Sequence, residues 1–180
     1  MQRPSDTVQT FLTTGMRSQG KLERVAAMTL KGGLADRTAW TATECSIDKA
    51  MSVIGTRSAV LILREAFYGT TRFDDFARRV GITEAVAAAR LKDLTAAGLF
   101  EKSPYREAGQ RTRYEYLLTE MGNDVLPVIL GLMQWGDKHL QRGDGPLEVT
   151  THGRPARVEV RGEEGAPVTA EDLVVRPRTS

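Results

Sequence analysis

The chain has 180 residues, with 25 Lys plus Arg against 23 Asp plus Glu, two His and one Cys, for a formal net charge of +2. Near-balance of charge argues against a histone-like polybasic protein, and 41% hydrophobic with 27% charged residues argues against a disordered chain while leaving room for one core of single-domain size. The longest aliphatic run, Ala59 to Leu63, falls far short of the roughly 20 apolar residues of a membrane span, and residues 1–30 lack a signal-type apolar stretch, so a cytosolic protein without membrane partners is expected.

Charge is unevenly spread: +3 over residues 1–43, +1 over 44–142 and −2 over 143–180, with a local +4 between residues 76 and 113. These shifts divide the chain into three. Residues 1–43, rich in Thr, Ser, Gly and Gln with sparse apolar positions, read as a flexible arm with one short helix. Residues 44–142 hold the packed domain, and 143–180 read as a small β appendage.

In the packed domain, Ser46 is placed to cap a first helix that carries Ile47, Ala50, Met51 and Ile54 on one face and stops at Gly55. A second helix runs from about Arg57 to Tyr68. It is apolar nearly all round at Ala59 to Leu63, as a central helix would be, and Gly69 stops it. A third, short helix follows from about Phe73, with Phe73, Phe76, Ala77 and Val80 at helical spacing and Gly81 as terminator. Thr83 then caps a fourth helix, Glu84 to Ala97. At 100° per residue, Leu91 and Leu94 lie within about 40° of Ala87 and form a buried stripe. The far side holds Ala85, Ala88, Ala89 and Lys92: small, flat and singly charged.

Gly98 ends that helix. An extended segment from Leu99 to Tyr105 turns at residues 107–110 and returns through Arg111 to Leu118, giving a hairpin with a basic tip. Thr119 caps a final long helix to about Leu140, which Pro127 should bend. The fold class is therefore mainly α with a small β hairpin. The order helix, helix, short helix, Gly turn, helix, hairpin, helix is that of a winged helix-turn-helix. In the tail, Val158 and Val160, a turn at 161–165 and Val168 suggest a second hairpin.

Four stretches carry a family resemblance: CSIDKAMSVIG at 45–55, AVLILREAFYGTTRFDDFARRVGI at 59–82, ARLKDLTAAGLFEK at 89–102 and YEYLLTEMG at 114–122. Together with LPVILGLMQWG at 126–136, they make the chain resemble the HxlR family of bacterial winged-helix transcriptional regulators. Thr56-Arg57-Ser58 departs from the Gly-Lys-Trp type sequence of many relatives. The resemblance implies a homodimer joined through its first and last helices, with the Thr83 to Ala97 helix entering the DNA major groove. A two-fold dimer would present two such helices to a pseudo-palindromic operator in double-stranded DNA, and a compact DNA-binding dimer can act as a repressor by occluding promoter DNA. A protein-interaction module that does not bind DNA is the alternative.

The residues themselves support that reading. Arg106, Arg111 and Arg113 at the hairpin tip suit phosphate or minor-groove contact, against the plainer role of a solvated hairpin. Thr83 caps its helix and can offer a phosphate its hydroxyl and the neighbouring N–H groups. Lys92 is a further candidate for DNA contact, against the plainer role of a solvated surface lysine. Ala85, Ala88 and Ala89 allow close approach and thymine-methyl contact but no base hydrogen bonds, so readout leans on the wing and DNA shape. Asp74 and Asp75, four residues before Arg78 and Arg79, offer those arginines helix ion pairs. Ile47, Met51, Ile129, Leu132, Met133 and Trp135 are the candidate dimer residues, since the last helix carries more apolar surface than one small domain needs.

Cys45 is the one thiol, at a helix start with Lys49 a turn on, where a thiolate is favoured. Related regulators that sense oxidants or electrophiles use a cysteine in this region, and the plainer role is a small buried hydrophobe at the dimer seam. A single cysteine with His139 and His152 supplies neither a disulfide nor a zinc set. No motif orients Cys45 and a histidine for nucleophilic chemistry, so no enzyme, metal or cofactor is expected. A small-molecule effector would sit between the first and last helices.

Overall fold

In the computed structural model, the described residues are 27–38, 44–106, 108, 109 and 111–178. In chain order they form β1 (Thr29–Leu30), α1 (Ser46–Ile54), α2 (Arg57–Phe67), α3 (Phe73–Val80), α4 (Glu84–Ala96), β2 (Phe100–Tyr105), β3 (Arg113–Leu118), α5 (Glu120–Asn123), α6 (Leu126–Leu140), β4 (Thr150–Thr151), β5 (Arg154–Pro155) and β6 (Val174–Val175).

Thr56 caps α2, its hydroxyl accepting from the Ala59 N–H at 3.1 Å. The helix then buries Ala59, Ile62 and Leu63 completely and packs against α1, α3, α4 and α6, the central place its apolar circumference predicts. Phe76 and Val80 from α3, Leu91 and Leu94 from α4, Leu99, Phe100 and Ile129 complete the core. Phe76, Phe100 and Tyr116 meet pairwise edge to face, with centroids 6.0 to 6.5 Å apart. The triad ties α3 to both hairpin strands. The segment before α3 joins them by an isolated bridge: Arg72 pairs with Glu115, and the Tyr116 N–H donates to the Thr71 carbonyl at 2.8 Å. This is a winged helix, mainly α as expected.

Two boundaries differ from expectation. Cys45, not Ser46, is the N-cap of α1: its backbone is extended while its carbonyl already accepts the Lys49 N–H at 3.0 Å. The last helix is two helices rather than one bent one. Thr119 caps only the four-residue α5, accepting from the Gly122 N–H at 3.1 Å. The chain restarts as α6 with Pro127 in its first turn. There the missing N–H costs nothing, whereas inside a continuous helix the ring would clash with the carbonyl one turn back.

Beyond α6, β4 and β5 form a tight hairpin whose turn residues, His152 and Gly153, have φ of 51° and 73°, the signs a two-residue hairpin turn favours. The expected turn at 161–165 is present, closed by an Arg161–Pro167 bridge. Gln134 of α6 docks the tail: its amide donates to the Ala156 carbonyl at 3.3 Å and accepts from the Val158 N–H at 3.1 Å. Residues 1–26 and 39–43 of the expected arm lie outside the described residues, but Thr29 and Leu30 pair in parallel with Val174 and Val175.

Candidate nucleic-acid interface

The helix-turn-helix is α3, the turn Val80-Gly81-Ile82 and α4. Gly81 has φ 70° and ψ 42°, a left-handed conformation that stops α3 at no steric cost to a glycine. The N–H groups of Gly81 and Ile82 both return to the Ala77 carbonyl at 3.1 Å. Thr83 caps α4 by accepting from the Val86 N–H at 3.3 Å. One of its two lone pairs is thereby committed to its own helix, while the hydroxyl proton and the helix N-terminus remain for an anion.

On α4, Ala87, Leu91 and Leu94 are buried as the angular reading requires, and Ala85, Ala88, Ala89 and Lys92 are exposed on the other side. Lys92 has no partner among the described residues. Arg90 is tied to Asp93 at 3.2 Å. Val86, which the sequence reading passed over, is 41% exposed and adds an apolar contact to this face. Its signal was there, since position 86 turns away from the Ala87 stripe by about 100°.

The wing is the β2–β3 ladder, whose last pair before the loop is Tyr105 opposite Arg113. Arg106, Arg111 and Arg113 are all exposed. Arg111 has no partner among the described residues, and Arg113 holds Asp74 of α3 at 3.8 Å. The expected helix ion pairs at Asp74 and Asp75 are replaced: Asp75 bonds Arg78 at i,i+3, Asp74 reaches the wing, and Arg79 is exposed without a partner among the described residues. An i,i+3 pair is as close on a helix as i,i+4, so Arg78 takes one of two equivalent carboxylates and frees the other. Arg72 was also missed. Its guanidinium lies 3.3 Å from the Tyr105 ring centroid, a cation–π contact between elements that no local pattern reveals.

The candidate dimer residues separate into two sets. Ile47 is 75% exposed and Trp135 57%, with Met51 and Leu132 also open, and Val128 extends this stripe on α6. Ile129 is only 7% exposed and belongs to the chain's own core. Its place in the dimer set is corrected, because α6 turns it toward α2 and leaves Val128, Leu132 and Trp135 on the outer face. Met133 is half-buried and lines an open groove of about 880 Å³ between α6 and residues 143–159, a different place from the effector site expected beside the first helix.

Cys45 is partly buried, and the nearby Lys49 ammonium is bonded to Glu44 rather than to the thiol. Among the described residues no cluster of three metal-ligating side chains occurs, and no helix is long and apolar enough to cross a membrane.

An uncharacterised HTH-type transcriptional regulator of Mycobacterium tuberculosis is 45% identical over 101 residues, which cover 56% of this chain and 63% of that protein. The chain thus spans less than two thirds of that relative's length. The crystal structure of PA1607, a candidate transcription factor, superposes with a TM-score of 0.64 at 33% identity, covering 77% of this chain and 96% of its own. A second candidate transcription factor, PA1374 from Pseudomonas aeruginosa, gives 0.54 at 31% identity over 74% and 92%. Residues 53–144 match the model of the HxlR-like helix-turn-helix. The chain is a member of the HxlR-like helix-turn-helix family, whose domain accounts for the helix-turn-helix, the wing and all of α6.

Proposed function

We propose that the protein is a cytoplasmic transcriptional regulator that binds double-stranded DNA as a homodimer and represses by occluding promoter DNA at a pseudo-palindromic operator. The observation that carries this reading is the pairing of one small exposed helix face, Ala85, Ala88, Ala89 and Lys92, with a wing that presents Arg106, Arg111 and Arg113. A flat face lets the helix backbone approach base edges, while cations beside it neutralise phosphate. A two-fold dimer through the exposed stripe of α1 and α6 would set two such helices about one DNA turn apart.

The reading extends to control. The groove beside α6 is the place for a small-molecule effector. Cys45, at the start of the helix that carries Ile47 and Met51, is the place for an oxidant or electrophile, because modification there adds bulk next to the proposed seam. If peroxide lowers the DNA affinity of Cys45→Ser as it does that of the wild type, the thiol has no part in control.

The test is binding to duplexes tiled across the gene's own upstream region, followed by anisotropy at increasing salt. A protected two-fold site, with log K falling steeply against log salt, is expected. Removing Arg111 or Arg113 should flatten that slope by about 0.9 each if each neutralises one phosphate. No binding at any salt, with an unaffected Arg111/Arg113 double alanine variant, would instead point to a winged-helix module that does not bind DNA.

A further inference from the structure

Tyr105 and Arg113 close the wing ladder, and the start of α3 grips both. Arg72, the residue before α3, stacks on Tyr105 and bridges Glu115 with its backbone. Asp74, two residues on, holds Arg113 with Oδ2 at 3.8 Å from Nη1. Asp75 is already engaged by Arg78, so Asp74 is the α3 carboxylate that faces the wing. The pair is long and open, with side chains 60% and 75% exposed.

We propose that Asp74 is a resident competitor for DNA phosphate at Arg113. This inference rests on the reading of the wing as a phosphate-contacting element. In the free protein the Asp74 carboxylate occupies the Arg113 guanidinium. On DNA a phosphate oxygen displaces it and leaves Asp74 unpaired beside the backbone. Because phosphate contact carries no sequence information, the competition weakens binding to every duplex alike and leaves discrimination unchanged. An exposed ion pair of this length is easily given up, so the competitor tunes affinity and does not block binding.

The probe is a random-sequence duplex of about 30 base pairs, titrated by anisotropy at roughly 50 mM salt, where non-specific phosphate binding is strong. The full chain is compared as wild type, Asp74→Asn, Asp74→Glu, Arg113→Gln and the Asp74→Asn/Arg113→Gln double variant. Asp74→Asn should bind about two- to fivefold tighter, the range an exposed pair allows. Asp74→Glu should bind like wild type. In the Arg113→Gln background the gain from Asp74→Asn should vanish, because the group competed for is gone.

A gain that persists undiminished there makes Asp74 a general repulsive charge and overturns the proposal. No gain from Asp74→Asn, with Arg113→Gln still weakening binding, overturns it alone and leaves the DNA reading standing. Failure of the wild type to bind any duplex overturns both. Thermal midpoints shared by the five proteins tie the affinities to the charge pair and not to the fold.

Discussion

Phe76 of α3 meets Phe100 of β2 edge to face, with centroids 6.0 Å apart and planes at 81°, and both rings are fully buried. This contact joins the helix-turn-helix to the wing, and Tyr116 of β3 closes the triangle. Phe76→Ala should destabilise the domain by about 3–5 kcal/mol, as large-to-small changes of buried aromatics do. Phe76→Leu should cost distinctly less. Urea unfolding followed by circular dichroism measures both, and equal costs would show that the ring contacts, not the volume filled, carry the stability of this site.

Two glycines make opposite demands on space. Gly81 has open space where a Cβ would go but a left-handed backbone, so Gly81→Ala should cost about 1 kcal/mol, and Asn should recover part of it. Gly122 has no such backbone, yet a Cβ there would lie 2.2 Å from the Leu99 carbonyl oxygen. Gly122→Ala should cost about 3 kcal/mol, at the upper end for forced overpacking. The reverse order in thermal or urea denaturation would contradict the placement of α5 against Leu99.

Trp135 and Ile129 lie on the same helix but answer to different partners. Trp135→Glu should convert the proposed dimer into a folded monomer, seen by sedimentation velocity with an unchanged far-ultraviolet spectrum, because its ring faces outward. Ile129→Glu should unfold the domain instead, since it places a charge in the core. If Trp135→Glu remains dimeric, association uses another surface.

The Thr169 backbone N–H and hydroxyl both donate to the Asp172 carboxylate, at 2.7 and 2.9 Å, and hold its pKa below the ordinary carboxylate value, with the backbone bond the larger cause. A depressed carboxylate pKa stabilises the turn above the unfolded-state value, and that contribution is lost as pH falls through the folded one. Acid titration followed by carbon NMR should therefore give Asp172 a midpoint below that of a free aspartate. Thr169→Ala should raise it part of the way, leaving the backbone bond in place.

Much of this molecule was legible because its signals are local. Gly55, Gly69, Gly81 and Thr83 sit at the boundaries they mark, and the Ala87, Leu91 and Leu94 stripe fixed which side of α4 would face out. The break between α5 and α6 was misread because a proline within a periodic apolar run suits a bent helix as well as a new first turn. The β4–β5 hairpin was missed because His152 stands where Asn or Asp usually signals such a turn. The Asp74–Arg113 and Arg72–Tyr105 contacts join residues far apart in sequence. Only packing determines which of two adjacent carboxylates finds which arginine.

The parallel pairing of Thr29–Leu30 with Val174–Val175 brings the two extremities of the described chain side by side. Trimming either one strips the other of its hydrogen-bonded neighbour and exposes an unsatisfied strand edge, an invitation to aggregate. A shortened version for crystallisation or binding work should therefore lose both flanks together. By the same geometry, a fluorophore at each flank would report by energy transfer whether that clasp stays shut when the protein meets DNA.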